Sequence, residues 1–182
     1  TPDRCGLWLG NPASETWPIY LAHFGAASQE ALRLQLHDDF RWISPQWYAS
    51  TTARPGAGDL NRIYAFPKKS HGDPGPFADA ASVQQVHDFD WPQAVNLDFS
   101  ETVAALRAAG PRYRASGYWT CFYHNVMDLF GMENYLVKMY EYPAVVQAVT
   151  DHICQYYYDA NEAFFAAAGA EVDGFFFGND FG

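Results

Sequence analysis

The sequence of 182 residues predicts an α/β fold with parallel strands. Three patterns along the chain support this prediction. Short apolar runs alternate with helix-forming segments, which is the order that parallel sheets require. The run 172–177 is apolar without interruption, as in a strand that is covered on both faces. Residues 143–168 repeat apolar side chains every three or four positions, which is typical of a long helix with one buried stripe.

The first half of the chain contributes two of the predicted strands and one helix. Residues 5–10 form an apolar run that ends at Gly10 and Asn11, which predicts a buried strand followed by a loop. Ser28 precedes a helix-forming segment and is a favourable N-cap. Residues 40–45 predict a second strand. The Gly-, Pro-, Ser- and Thr-rich stretch 49–77 predicts a long loop with one short hairpin at 62–66.

The second half contributes the remaining strands and most of the helices. Short helices are predicted at 79–86 and 101–109, and a third strand at 115–122. Residues 127–142 predict a helical region that is interrupted at Gly131. The long helix then begins at Pro143 and ends at Gly169, before the fourth strand at 172–177. Four parallel strands are half of the eight that close a barrel.

Charge and composition exclude several classes of partner. Lys and Arg total 11 against 21 Asp and Glu, a net charge of −10, so no basic stripe is available for nucleic acid or an anionic membrane. No apolar run reaches the roughly 18 residues of a spanning helix. Aromatic residues make up 18% of the chain, which predicts either a large core or an aromatic-lined pocket.

The cysteines and the chain ends predict a cytoplasmic protein that is part of a longer one. The three cysteines are far apart and form no CxxC pair, so we expect reduced thiols. The start has no apolar leader segment, so no signal peptide is expected. The chain lacks an initiator Met and stops where a strand passes into a loop, so we expect residues 1–182 to be a portion of one domain that is truncated at both ends.

Ligands of parallel α/β folds gather at the carboxyl ends of the strands, so the residues that follow each run are the candidates for a site. The segment 178–182 places Asn179 and Asp180 between glycines that allow a close backbone approach to a ligand. The alternative is an Asx turn that satisfies only its own backbone. Asp38 and Asp39 are neighbouring carboxylates. Their mutual repulsion would raise the pKa of one of them, which suits general acid catalysis. Asp38 also fits a cap of the preceding helix.

The predicted site therefore has two catalytic carboxylates and a set of binding residues. The catalytic pair is Asp180 and Asp39. His124 fits a titratable group or a structural histidine, and residues 68–71 fit an anion clamp or a solvated loop. No metal ligand is predicted. The expected substrate-binding residues lie near the ends of the predicted strands: Gly10, Asn11, Trp42, Trp119, Tyr123, His124 and Asn179.

Short motifs in the same order and spacing resemble the uroporphyrinogen decarboxylase superfamily. They lie at 2–4 (Pro-Asp-Arg), 39–42 (Asp-Phe-Arg-Trp), 77–80 (Phe-Ala-Asp-Ala), 89–92 (Phe-Asp-Trp-Pro), 131–134 (Gly-Met-Glu-Asn) and 178–182 (Gly-Asn-Asp-Phe-Gly). The last resembles the family's Gly-Asp-Asp-x-Gly loop, with Asn179 in place of the first Asp. The resemblance implies a TIM (β/α)8 barrel, of which residues 1–182 form the N-terminal half.

The resemblance also implies an enzyme. The expected activity is that of a methyltransferase or demethylase acting on a methylated small molecule or a corrinoid, with a corrinoid protein or a second copy as partner. In that branch a zinc ion is held by His and Cys, in a motif that lies in the absent C-terminal half.

The first alternative is a uroporphyrinogen decarboxylase, a carboxy-lyase of tetrapyrrole biosynthesis. Residues 11–14 lack the family's Arg-rich loop, so a polycarboxylate is a poor substrate. The second alternative is a non-catalytic fragment that associates with a partner chain.

Overall fold

The computed structural model describes residues 4–45, 70–118 and 122–178, which form a mixed α/β fold with a small parallel sheet. The strands are β1 (Phe40–Trp42), β2 (Tyr113–Tyr118) and β3 (Gly174–Phe177). The α-helices are α1 (Thr16–Phe24), α2 (Gln29–Gln35), α3 (Val83–His87), α4 (Ser100–Ala108), α5 (Phe122–Phe130), α6 (Met132–Glu141) and α7 (Pro143–Ala168). Two 3₁₀ turns lie at Ala94–Asn96 and Gly169–Glu171.

The three strands are parallel and lie side by side in chain order, β1-β2-β3. Trp42 of β1 is in register with Ala115 of β2, which is in register with Gly174 of β3. This confirms the predicted parallel α/β arrangement. The barrel is a finer expectation that three strands do not test.

Helices cover one face of the sheet. Side chains alternate between the two faces of a strand, and Arg41 of β1 points to the face where α2 lies, because its guanidinium binds Glu30 at 2.9 Å. Tyr118 of β2 and Phe175 of β3 contact the same buried ring of α7, Phe164. The core therefore lies between this face and the helices, with α7 contacting α3, α4, α5 and α6.

Local capping explains where several helices begin. The Ser28 hydroxyl accepts a hydrogen bond from the Ala31 amide at 3.1 Å, which confirms the predicted cap of α2. Ser82 and Gln85 form a reciprocal capping box, so α3 begins at Val83 and is shorter than predicted. Gly131 has a φ of 84° and separates α5 from α6, as the predicted interruption requires. Pro143 occupies the first turn of α7.

The first predicted strand is wrong. Residues 5–10 are exposed or half-buried and form no strand, and a backbone hydrogen bond from the Asp39 amide to the Leu7 carbonyl at 2.9 Å links them to the residue before β1. A single bond does not make a ladder. The described sheet consequently has three strands where the sequence predicted four.

Two further expectations are corrected. The third strand ends at Tyr118 and α5 begins at Phe122, so Tyr123 and His124, which were expected just past the strand, lie in a helix. The run 172–177 is not buried on both faces, because Phe176 and Phe177 are 42% and 40% exposed. The sequence analysis also missed α1. The predicted hairpin at 62–66 lies outside the described residues.

Candidate functional site

The face of the sheet opposite the helices is named the aromatic face. It carries a cavity of about 720 Å³. Its lining comes from the three strands and from the segment before α1. The lining residues are Trp8, Asn11, Phe40, Trp42, Tyr113, Ala115, Gly174, Phe175 and Phe176.

Ring contacts build this surface. Trp8 lies on Phe40 with ring centroids 4.6 Å apart, and Phe40 stacks on Tyr113 at 5.4 Å. Trp42 meets Phe176 edge to face at 5.9 Å. Such pairs stabilise one another beyond their buried area, so the rings give the cavity a mainly apolar lining.

Glycines allow the strands and rings to approach closely on this face. A Cβ at Gly174 would lie 2.5 Å from the Tyr113 hydroxyl oxygen, which donates a hydrogen bond to the Asp173 carbonyl at 3.1 Å. A Cβ at Gly117 would collide with the Phe176 carbonyl oxygen, and its φ of 148° also favours glycine. The space between the rings therefore depends on residues without side chains.

Gly10, Asn11 and Trp42 lie at this surface or beside it. Asn11 and Trp42 line the cavity, and the Trp42 indole N–H donates to the Ser44 hydroxyl at 3.0 Å. Gly10 adopts a φ of 81°, and its carbonyl accepts a hydrogen bond from Arg33 at 2.8 Å. The turn at Gly10 is thus held against α2, and it places Asn11 at the cavity.

Asp39 lies away from the carboxyl ends of the strands, because it precedes β1. Its carboxylate binds the Arg4 guanidinium at 2.7 Å and accepts from the Leu7 amide at 2.9 Å. The Arg4 hydrogen bond, followed by the Leu7 amide, holds the pKa of Asp39 below its usual value. The expected general acid needs a raised pKa, so the surroundings of Asp39 oppose that role in the described residues.

Tyr123 and His124 lie in the first turn of α5 and do not line the aromatic face. Tyr123 packs against the core and meets Tyr135 at 5.5 Å between ring centroids. His124 lies 5.8 Å from the ring of His71, whose Nδ1 is 2.6 Å from an Asp128 carboxylate oxygen. The structure therefore separates these two residues from Trp42, which the sequence analysis expected beside them.

Trp119, Asn179 and Asp180 lie outside the described residues. The sequence analysis did not single out four of the rings on the aromatic face: Trp8, Phe40, Tyr113 and Phe176. The spacing of Phe40 from Trp42 is the pattern that could have indicated part of this surface, since alternate residues of a strand share a face.

Within the described ranges, no group of three or more His, Cys, Asp or Glu side chains is placed to hold a metal ion. Nor does any helix there combine the length and apolarity needed to cross a membrane. Comparison of the chain with protein-family models, with curated proteins and with solved structures found no match.

Proposed function

We propose that this chain is the N-terminal part of a TIM-barrel enzyme related to the uroporphyrinogen decarboxylase superfamily, and that the enzyme is a methyltransferase acting on a methylated small molecule or a corrinoid. With a small-molecule donor, the methyl group passes to a reduced corrinoid and the demethylated phenol or amine leaves. One observation carries the proposal. The parallel strands follow one another in chain order and the helices lie on one face, which leaves the aromatic face for a ligand.

The strand order is the structural argument for the barrel. Right-handed crossovers that always advance in the same direction put every helix on one face of the sheet. A doubly wound sheet reverses its strand order and places helices on both faces. The described strands advance without reversal, as in a barrel, where the opposite face becomes the interior.

The lining of the aromatic face favours the methyltransferase over the decarboxylase. Among the described lining residues no side chain is cationic, and Asn11 is the one amide. Arg41 points to the other face and binds Glu30, while Arg114 binds Asp173 at 3.0 Å. A tetrapyrrole with many carboxylates needs cationic partners, whereas aromatic rings suit a methylated donor that is a neutral methyl ether or a cationic methylamine.

In this proposal Asp180 and Asn179, which follow β3 in the chain, orient the donor together with Trp119, which follows β2 in the chain. Among the described residues no group of three or more His, Cys, Asp or Glu side chains is placed to hold the catalytic zinc ion that the family resemblance implies. We therefore assign no step of the reaction to a metal.

Methyl transfer to cob(I)alamin tests the proposal. The complete protein is mixed with methoxylated aromatic compounds and methylated amines, and methylcobalamin is followed by its absorbance. We expect Asp180→Ala to lower turnover at least about tenfold, and Asp159→Ala, at an exposed position of α7, to leave it unchanged. Near-wild-type turnover in Asp180→Ala would remove Asp180 from the site.

The decarboxylase alternative predicts a different product. Uroporphyrinogen incubated with the same protein would release carbon dioxide and yield a less carboxylated porphyrinogen. This product, without any methylcobalamin in the first assay, would overturn the methyltransferase proposal.

A further inference from the structure

Two histidines meet between α3 and α7, on the helical side of the molecule. His87 lies in the last turn of α3 and His152 lies in the first half of α7. His87 Nδ1 is 3.1 Å from His152 Nε2, and the ring centroids are 5.3 Å apart. The two helices thus present a pair of ring nitrogens to each other.

The separation of these nitrogens matches that of two ligands on one metal ion. Imidazole nitrogens bind zinc at about 2.0–2.1 Å, so two that subtend about 90–109° at the ion lie about 2.8–3.4 Å apart. We propose that His87 and His152 bind a divalent transition-metal ion of the Zn²⁺ or Ni²⁺ type, which replaces the hydrogen bond between the two rings.

The His152 ring is held in place before any metal arrives. Trp91 stacks on it with centroids 4.6 Å apart and planes 7° from parallel. The Trp91 indole N–H donates to the Val86 carbonyl at 2.8 Å, which fixes the stacking ring to α3. Burial, with a smaller contribution from His87, lowers the pKa of His152. A neutral imidazole is the form that binds metals.

The surroundings supply negative charge and space for the remaining ligands. His87 and His152 line a cavity of about 480 Å³ together with Asp151. Asp151 acts electrostatically on His152, and its carboxylate accepts from Gln147 at 2.6 Å. A carboxylate beside a bound ion favours cations and can bind the metal's water molecules. Two imidazole ligands with water in the other positions suit Zn²⁺ and Ni²⁺, whereas Mg²⁺ prefers oxygen ligands.

Isothermal titration with Zn²⁺, Ni²⁺ and Mg²⁺ tests the site in the metal-free protein. We expect one Zn²⁺ and one Ni²⁺ per chain, no heat of binding with Mg²⁺, and affinity that falls as protons compete at lower pH. His87→Gln changes an exposed residue and should weaken both metals at least about tenfold. His23→Gln, at an exposed position of α1, should bind like the wild type.

Thermal unfolding gives a second measurement. A bound ion stabilises the folded state, so excess Zn²⁺ should raise the Tm of the wild type by about 3–5 °C and leave that of His87→Gln unchanged. Equal Zn²⁺ and Ni²⁺ affinity in the wild type and in His87→Gln would overturn the proposal, because any binding would then belong to the thiols or to other histidines. Absence of binding in the wild type would overturn it as well. Circular dichroism checks that each variant is folded.

Discussion

Asp38 and Asp39 are adjacent in the chain, but their carboxylates lie in different surroundings. The Asp38 side chain is fully buried and binds Arg33, with the Phe40 amide donating to it at 3.1 Å. The Asp39 side chain is 41% exposed and binds Arg4. Successive residues of an extended segment point in opposite directions. Asp38 therefore has a structural role in the interior, whereas Asp39 forms an ion pair at the surface.

Replacing Asp38 should therefore destabilise the protein more than replacing its neighbour. Asp38→Asn leaves Arg33 without its buried partner, and we expect a loss of about 3 kcal/mol in the free energy of unfolding. Asp39→Asn removes an exposed pair and should leave the urea midpoint nearly unchanged. Urea denaturation followed by circular dichroism measures both. Equal midpoints for the two variants would contradict the structural role of Asp38.

Gly117 is the residue on which the approach of β2 to β3 depends. Gly117→Ala introduces a Cβ that collides with the Phe176 carbonyl and forces a φ of 148° on a residue with a side chain. We expect a loss of roughly 3 kcal/mol in unfolding free energy. Gly72→Ala is the matched control, since its Cβ would meet only the Ser70 hydroxyl at 3.6 Å, and it should change stability little. Equilibrium denaturation measures the stability of both variants. A Gly117→Ala protein as stable as this control would show that the close approach of β2 to β3 does not require glycine at position 117.

At the scale of elements, α7 organises the core. Its 26 residues contact four other helices, and Phe164 connects it to the sheet. Phe164 is fully buried and its ring meets those of Phe99, Tyr118 and Phe175. The next residue, Phe165, is 46% exposed. The helix thus provides a buried and a half-exposed phenylalanine side by side.

This pair of phenylalanines predicts a graded response to truncation. Phe164→Ala should cost about 3–5 kcal/mol, because it removes buried surface and leaves a cavity. Phe165→Ala should cost less than about 2 kcal/mol, because much of its ring is already in water. Urea titrations with a common slope provide the comparison. The packing of α7 on the sheet would be in doubt if Phe165→Ala proved the more damaging change.

Helices were easier to predict than strands, and the elements show why. Ser28, Gly131 and Pro143 mark helix ends through contacts with residues close in sequence, so local chemistry located α2, α6 and α7. The helix α1 carries Pro18 in its first turn and its apolar residues show little periodicity, so no pattern indicated it. Residues 5–10 have the composition of a strand, but strand formation depends on partners distant in the chain.

At the scale of the whole molecule, the aromatic face is open in the described residues. Trp8 is 47% exposed and Phe176 is 42% exposed, and both line the cavity. An exposed apolar patch of this kind favours association. The chain by itself should therefore form dimers or larger species, or a partly molten state.

Sedimentation velocity at several protein concentrations checks this prediction. The double variant Trp8→Ser/Phe176→Ser should shift the chain toward the monomer, because it removes two rings from the aromatic face. The control Ile19→Ser/Tyr140→Ser changes residues that are 66% and 91% exposed on α1 and α6, and it should not affect association. A monodisperse wild-type monomer that melts cooperatively would refute the prediction.

The sequence by itself determined the alternation of strands and helices, the parallel direction of the strands and most helix ends. These features follow from periodicity and capping, which act over a few residues. Only the tertiary structure decided which side chains share a surface. It joined Trp42 and Asn11 to rings of β2 and β3, paired Asp39 with Arg4, and packed Tyr123 against the helical core. The physical reason is that strand register and helix packing bring together residues far apart in the chain, which no local pattern encodes.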